Sequence, residues 1–286
     1  MIAETGPRGD ARGGPPPLWF YRGLLRVRPA ILASWLKRLL RVRRRAVRTP
    51  RGRFFVDPAS NLGYTLLHSG EYEPEMLKVL ETFLGPGGTF VDVGANEGYF
   101  AMVAAGLVGP GGRVVAVEPQ ARLHPVLRRN VELHGAANVV LARAAITDRP
   151  GTARLFMAPD TNTGSSGLTR TTRYGLATET VETLTLAELF DRHGVDRADL
   201  LKIDIEGSEY EAVLGAPELF QARRVRAVAL ELHPHFLARR GLSAEPILAE
   251  LHRAGYTPDA RFHPPDTSGA ANPLQQYLVL TAPERG

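Results

Sequence analysis

The stretch FVDVGANEGYF, residues 90–100, decides the fold of this chain. It joins the apolar run 89–93, which has the length and composition of a buried strand, to the segment 97–108, which predicts a helix. Gly94 permits a tight turn between the two, and Gly98 permits close packing of the helix start on the strand. The stretch therefore predicts a strand–turn–helix unit whose backbone a ligand can approach.

Alternating strands and helices follow from residue 54 onward. The predicted strands lie near 89–93, 113–118, 138–143, 199–204, 225–232 and 275–281. The predicted helices lie near 74–84, 97–108, 121–135, 208–215 and 243–254. Such alternation indicates βαβ units and a mostly parallel sheet in one α/β domain. The long polar segment 158–175 is either a plain surface loop or a mobile flap over a site.

Polar residues at two strand ends indicate what the sheet binds. The pattern Gly94-x-Asn96-x-Gly98 is one residue shorter than a dinucleotide fingerprint, and Asp92 precedes its first glycine. A carboxylate there is unfavourable beside a pyrophosphate but suits a ligand that carries an ammonium group and a sulfonium charge. S-adenosylmethionine has both. Glu118 ends the second strand, where an acid hydrogen-bonds the ribose hydroxyls of an adenine nucleoside.

The ends of two later strands carry the candidate catalytic groups. Asp204 and Glu206 follow the fourth strand, and Lys202 alternates with Asp204 as a candidate buried partner for a carboxylate. Glu231 and His233 share a face at the end of the fifth strand. His233 is either a general base for a hydroxyl acceptor or a satisfied turn residue. In a minority interpretation, Asp204 and Glu231 instead hold Mg²⁺.

Smaller features complete the sequence-based site. Ser208 and Glu211 have the spacing of a helix capping box. In the segment 143–147 and just after it, Ala145 is the predicted neighbour of the adenine ring and Asp148 a candidate partner for its amino group.

Four further motifs resemble the FkbM-type family of class I S-adenosylmethionine-dependent methyltransferases. They are SGEYEPEML (69–77), VETLTLAELF (181–190), LLKIDIEGSEYEAVLGA (200–216) and ALELHP (229–234). Together with the strand-end residues they cover about residues 54–281. The resemblance implies a Rossmann-like fold with a seven-stranded sheet, helices on both faces and an antiparallel last strand. It also implies O-methylation of a hydroxyl on a small molecule or sugar.

The strand-end residues and the resemblance together give a set of expected site residues. Cofactor contacts are expected from Glu73, Asp92, Gly94, Ala95, Asn96, Gly98, Tyr99, Glu118, Ala145 and Asp204. Catalytic roles are expected for Asp204, Glu206 and His233. The expected cofactor is S-adenosylmethionine, and the expected partner is a small hydroxylated acceptor.

The basic charge of the chain is concentrated near its N-terminus. Residues 1–53 hold 14 Lys and Arg against two acids, whereas the whole chain holds 35 against 30. We expect residues 1–17 to be disordered, residues 18–53 to form a basic amphipathic helical arm, and residues 54–286 to form the methyltransferase domain. The arm is interpreted as a cap on the domain or as a helix lying on an anionic membrane surface.

Three other functions are weighed against methylation of a small molecule. A nicotinamide-dependent oxidoreductase is disfavoured by the short glycine pattern. A nucleic-acid methyltransferase that uses the basic arm is disfavoured by the acids after the fourth strand and by the absence of cysteine. A non-catalytic membrane-binding module leaves the strand-end acids unexplained. With no secretory signal or long apolar run in the sequence, we expect a cytoplasmic location, with membrane association at the inner surface as an option.

Overall fold

The computed structural model describes residues 16–169, 177–262 and 276–283. The helices are α1 Leu18–Arg26, α2 Ala30–Leu39, α3 Asn61–Ser69, α4 Pro74–Phe83, α5 Tyr99–Val108, α6 His124–His134, α7 Leu186–Arg192, α8 Glu209–Leu214, α9 Pro217–Gln221, α10 Pro234–Ala238 and α11 Glu245–Arg253. The strands are β1 Arg45–Thr49, β2 Gly52–Val56, β3 Thr89–Val93, β4 Arg113–Val117, β5 Val139–Ala142, β6 Ala145–Ile146, β7 Gly151–Phe156, β8 Thr178–Leu184, β9 Ala198–Ile203, β10 Val225–Leu232, β11 Thr257–Pro258 and β12 Gln276–Thr281.

A seven-stranded sheet in the order β11-β12-β10-β9-β3-β4-β5 forms the centre of the molecule. The five strands from β10 to β5 run parallel to one another. The last strand, β12, is antiparallel to both of its neighbours. The predicted Rossmann-like class I methyltransferase fold is thereby confirmed, and every strand and helix predicted from residue 54 onward is present.

The two faces of the sheet are both buried because successive side chains of a strand point to opposite sides. In β3, Val91 and Val93 pack with α7, α8, α9 and α11, whereas Phe90 packs with α4 and α5. A strand that is buried on both faces reads as a continuous apolar run, which is why residues 89–93 were recognisable. Helices on both faces are therefore confirmed.

The structure differs from the predicted helical arm at its end. Residues 18–26 and 30–39 are helical, but residues 45–56 form the antiparallel hairpin β1–β2. Phe54 of this hairpin is fully buried, with its ring centroid 4.9 Å from that of Tyr99. The helical expectation is wrong for 45–53 because the run of arginines hides a period-two pattern that buries one face of the hairpin against the domain.

Two other features complete the description of the fold. A three-stranded sheet, β6-β8-β7, was not predicted; β7 and β8 expose many of their residues and so carry a weak apolar signal. Among the described residues, none of the helices has the length and apolar character needed to cross a bilayer. Residues 1–15 lie outside the described part of the chain, and the division into arm and domain stays a prediction.

Candidate active site

A cavity of about 440 Å³ lies beyond the carboxyl ends of β3, β4, β9 and β10. Its volume is within the usual range of small-molecule sites, about 300–1,000 Å³. It brings together most of the residues predicted from sequence. Those that line it are Glu73, Gly94, Ala95, Asn96, Tyr99, Glu118, Ala145, Asp204, Glu206, Glu231 and His233.

The first turn of the cavity depends on Gly94. Its φ is +91°, a conformation that favours glycine, and a Cβ there would lie 1.9 Å from the carbonyl oxygen of Asp204. The backbone N–H of Asp204 donates to the carbonyl of Val93 at 3.0 Å, which holds the ends of β3 and β9 side by side. The glycine is therefore required by the close approach of two strand ends.

Glu118 is a buried acceptor at the end of β4. Its carboxylate accepts hydrogen bonds from the backbone N–H groups of Asn96 and Gln120, both at 2.9 Å, and the residue is 3% exposed. Burial raises the pKa of Glu118 to about 7, against the opposing effect of these hydrogen bonds. Each oxygen can still accept a further hydrogen bond, so the carboxylate fits a hydroxylated ligand.

Lys202 is the buried cation among the acids of the cavity. Its Nζ lies 3.1 Å from Oδ2 of Asp204 and 3.7 Å from Oδ1 of Asp92. Burial on its own would lower the pKa of Lys202, but the charges of Asp204 and Asp92 raise it above its ordinary value. The predicted pairing of Lys202 with a carboxylate is confirmed, and because Glu73 and Glu231 also face this lysine, acids outnumber it.

Three residues expected at the ligand are not among those that line the cavity. Asp92 is 1% exposed, and its carboxylate faces the ammonium of Lys202. It therefore affects the charge in the cavity through that ammonium. A Cβ at Gly98 would lie 2.7 Å from Leu127, so this glycine serves helix packing. Asp148 lies outside the lining residues, with Oδ1 3.5 Å from Nε of Arg149. These three residues lie outside the cavity lining because strand-end position alone does not fix where a side chain points, and their contact with a ligand stays a prediction.

His233 is held by a carboxylate that sequence reasoning did not place. Its Nδ1 lies 2.9 Å from Oε1 of Glu209, a fully buried residue. Its Nε2 faces the cavity, 3.8 Å from Oε2 of Glu206 and 3.9 Å from Oε1 of Glu231. Burial on its own would lower the pKa of His233, but the hydrogen bond to Glu209 and the charges of Glu209 and Glu206 raise it to about 9.

The predicted capping box at α8 is wrong. Ser208 occupies the N-cap position without a side-chain hydrogen bond, and the carboxylate of Glu211 pairs with Arg240 instead. Oε1 of Glu209 accepts the N–H of Gly207 at 3.1 Å and thus satisfies the backbone before the helix. Glu209 therefore satisfies the backbone of the turn and also holds His233. The predicted capping box assigned the capping role to Ser208 and Glu211, so the role of Glu209 was missed.

The described part of the predicted flap lies against the cavity. Residues 162 and 164–168 line it, and Oγ1 of Thr163 donates to Oδ1 of Asn96 at 2.8 Å. Arg122 anchors the segment through Asp160 at 2.9 Å. Residues 158–169 of the predicted flap therefore lie against the cavity, as expected. Residues 170–175 lie outside the described residues, and the mobility of the flap stays a prediction.

An ion pair joins the N-terminal arm to the glycine-rich turn. Nη1 of Arg44 lies 2.8 Å from Oε1 of Glu97, which is 1% exposed and belongs to the cavity wall. Burial raises the pKa of Glu97, and the charge of Arg44 opposes that rise. Sequence reasoning missed the pair, because nothing in the spacing of the two residues links them.

The two carboxylates predicted as alternative Mg²⁺ ligands, Asp204 and Glu231, lie close together, and His233 joins them. Asp204, Glu231 and His233 each offer a ligand atom, and these atoms lie within 4.8 Å of one another. The histidine supplies the third ligand that the sequence did not indicate. However, the ammonium of Lys202 already lies 3.1 Å from Asp204 and competes for the same charge. A Mg²⁺ site stays a prediction.

Comparison with known proteins identifies the family. Residues 92–258, more than half of the chain, match the family described as the methyltransferase FkbM domain. The chain belongs to the FkbM methyltransferase family. It is therefore a methyltransferase of the S-adenosylmethionine-dependent type, and the oxidoreductase alternative is removed.

Two proteins from other organisms are similar in sequence. The 31-O-demethyl-FK506 methyltransferase FkbM of Streptomyces tacrolimicus is 30% identical over 177 residues, which cover 52% of this chain and 67% of that protein. Protein-L-isoaspartate O-methyltransferase 1 of Arabidopsis thaliana is 33% identical over 90 residues, which cover 31% of this chain and 39% of that protein.

Two solved structures are similar at lower identity. A methyltransferase FkbM from Methylobacillus flagellatus KT is 20% identical with a TM-score of 0.37, and the match covers 57% of this chain and 37% of that protein. Aeropyrum pernix fibrillarin, in complex with natively bound S-adenosyl-L-methionine, is 15% identical with a TM-score of 0.40. Its match covers 83% of this chain and 82% of that protein.

Proposed function

We infer that this FkbM family member transfers a methyl group from S-adenosylmethionine to a hydroxyl of a small molecule or sugar. The observation that carries the inference is the His233–Glu209 pair, whose other ring nitrogen, Nε2, faces the cavity among acids. A hydroxyl acceptor must lose a proton during methyl transfer, and we assign the role of taking it to this nitrogen. The names of both similar proteins denote O-methyl transfer, which supports the same chemistry.

The residues of the cavity fit the cofactor. The carboxylate of Glu118 would accept hydrogen bonds from the ribose hydroxyls, and the small side chain of Ala145 would leave room for the adenine ring. Glu73 and Asp204 would face the charged amino acid end, where the surplus of acids over Lys202 favours a cation. The cofactor supplies a methyl carbon activated by its sulfonium, so the protein's part is to align the acceptor and to exclude water.

Glu209 is the positioning residue of this mechanism. It accepts the hydrogen on Nδ1 of His233, so the neutral ring presents Nε2 to the acceptor with its lone pair free. The same carboxylate stabilises the imidazolium that forms when the proton arrives. Asp204 and Glu206 line the space around the acceptor and orient its hydroxyl.

The pH dependence of turnover tests this assignment. Because the pKa of His233 is raised to about 9, the neutral base becomes more abundant as pH rises, so the rate increases between about pH 7 and 9. Glu209→Gln keeps an acceptor for Nδ1 but removes the charge, so the rising limb moves to lower pH. His233→Asn abolishes the limb together with most of kcat.

If the rising limb of the rate–pH profile does not move in Glu209→Gln, the base is assigned to Glu231. Burial and the charge of Asp204 raise the pKa of Glu231 to about 8. In the described residues Glu209 is hydrogen-bonded to His233 and not to Glu231, so a change at Glu209 would affect Glu231 less. The acceptor itself is sought by transfer of labelled methyl groups to hydroxylated metabolites and lipopolysaccharide sugars. Label that appears only in nucleic acid or protein overturns the small-molecule proposal and supports the macromolecular alternative.

A further inference from the structure

Large apolar side chains that are exposed in the described residues cluster at the start of the chain. They are Leu18, Trp19, Ile31, Leu32, Trp35, Leu39 and Leu40, and this set is called the docking surface below. Trp19, Trp35 and Leu39 are more than 70% exposed. They lie on and beside two helices that pack on each other, and exposed apolar patches of this kind mark a site of interaction.

Helix α2 shows that the docking surface is not part of the core of the protein. Ala33 and Lys37 are buried, and the ammonium of Lys37 pairs with the buried carboxylate of Asp57. Trp35 and Leu39 lie on the opposite side of the helix, by its 3.6-residue period. One face of α2 is therefore fixed on the domain while the other presents apolar groups outward.

The arm itself contributes only basic charge around the docking surface, and an acid of the domain, Asp160, lies with Oδ2 3.8 Å from Nη2 of Arg38. Residues 11–56 contain no Asp or Glu. Exposed arginines on and beside α1 and α2 are Arg22, Arg26, Arg28, Arg38, Arg41 and Arg43. Tryptophan and leucine beside arginine is the combination that lies in the interface of an anionic bilayer, with rings and aliphatic groups among the acyl chains and guanidinium groups at the phosphates.

We propose that the docking surface binds an anionic lipid bilayer and holds the enzyme at the membrane. A second copy of the chain is a poorer occupant, because a two-fold interface would oppose arginine to arginine. Nucleic acid is a poorer occupant as well, because five of the seven apolar groups are leucine or isoleucine, which do not stack on bases as aromatic rings do.

The two tryptophans of the chain, Trp19 and Trp35, both belong to the docking surface, so intrinsic tryptophan fluorescence of the full chain reports on it alone. Vesicles of equal parts phosphatidylcholine and phosphatidylglycerol are expected to shift the emission to shorter wavelength, and brominated acyl chains to quench it. Vesicles of phosphatidylcholine alone are expected to bind much more weakly.

Matched charge reversals separate this surface from the rest of the protein. The double variant Arg41→Glu, Arg43→Glu is expected to weaken binding to the anionic vesicles by about tenfold or more. The double variant Arg128→Glu, Arg239→Glu makes the same change of net charge at exposed positions elsewhere and is expected to leave binding within about twofold. Circular dichroism melting of both variants verifies that they fold.

Several outcomes overturn the proposal. They are an unchanged tryptophan emission with anionic vesicles, equal loss of binding in both double variants, and equal affinity for the two kinds of vesicle. Salt-sensitive binding of a double-stranded DNA oligonucleotide without vesicle binding assigns the surface to nucleic acid. Sedimentation equilibrium that shows a dimer in wild type and a monomer in Leu39→Asp assigns it to a second copy.

Discussion

The arm of α1 and α2 and the cavity at the strand ends differ in charge and in exposure. On the arm, arginines surround apolar groups that face outward, and Asp and Glu are absent from residues 11–56. In the cavity, acids surround the buried ammonium of Lys202. The contrast teaches that the basic composition of the chain says nothing about its catalytic centre, because the basic residues and the acids of the site belong to different surfaces.

The two regions nevertheless touch. Arg44, in the part of the arm that follows α2, reaches the buried carboxylate of Glu97 in the glycine-rich turn, and Lys37 reaches Asp57. Opposite charges thus meet where the arm is fixed on the domain, and like charges collect where each region is proposed to bind a partner.

The largest effect is expected from Gly94→Ala. The new Cβ would lie 1.9 Å from the carbonyl oxygen of Asp204 at a φ of +91°, so β3 and β9 must separate at the cavity. We expect a loss of about 3 kcal/mol or more in the free energy of unfolding, measured by urea denaturation, and loss of S-adenosylhomocysteine binding.

The matched control for this change is Gly106→Ala. Gly106 is exposed in α5, and a Cβ there meets nothing within 4 Å, so alanine is expected to stabilise the helix by about 1 kcal/mol. Equal stability of the two variants would show that the ends of β3 and β9 do not approach each other closely at Gly94.

The next effect concerns the cofactor side of the cavity. Glu118→Ala removes a charged acceptor and leaves the N–H groups of Asn96 and Gln120 without it, so calorimetry is expected to show S-adenosylhomocysteine binding weakened by about tenfold or more. Glu132→Ala, at an exposed ion pair on α6, is expected to leave affinity unchanged. Similar affinities in both variants would remove Glu118 from the site.

Because the same carboxylate ionises, the affinity for S-adenosylhomocysteine is expected to depend on pH. The pKa of free Glu118 is raised to about 7, and only the ionised form accepts both ribose hydroxyls, so wild-type affinity is expected to fall as pH drops below about 7. Glu118→Gln should bind weakly and with a flat profile over this range. A wild-type profile that is equally flat would contradict the role.

The junction is tested by Arg44→Ala. Removal of the guanidinium leaves the buried carboxylate of Glu97 without its partner, and we expect a loss of about 2 kcal/mol in the free energy of unfolding. Arg192→Ala breaks an ion pair with Glu182 in which both side chains are about half exposed, and is expected to cost less than about 1 kcal/mol. Equal costs would mean that the arm is not fixed through this pair.

The contrast between regions also explains how far sequence reasoning reached. The strands beside the cavity were predictable because burial on both faces gives continuous apolar runs such as 89–93, and because glycine and acids punctuate their ends. Hairpin β1–β2 was not, because its period-two pattern is short and lies among arginines. The pairing of Glu209 with His233 was not either, since residues on different elements are brought together only by the tertiary fold.

The smallest effect is expected from removing divalent metal. Turnover should be unchanged in EDTA, because the ammonium of Lys202 already lies 3.1 Å from Asp204 and supplies the cation among the acids. Lys202→Met should in contrast lower turnover sharply, since it leaves Asp92 and Asp204 facing each other without a counter-ion. Loss of activity in EDTA that Mg²⁺ restores would instead assign Asp204, Glu231 and His233 to a metal, and would then make His233 a ligand and not the base.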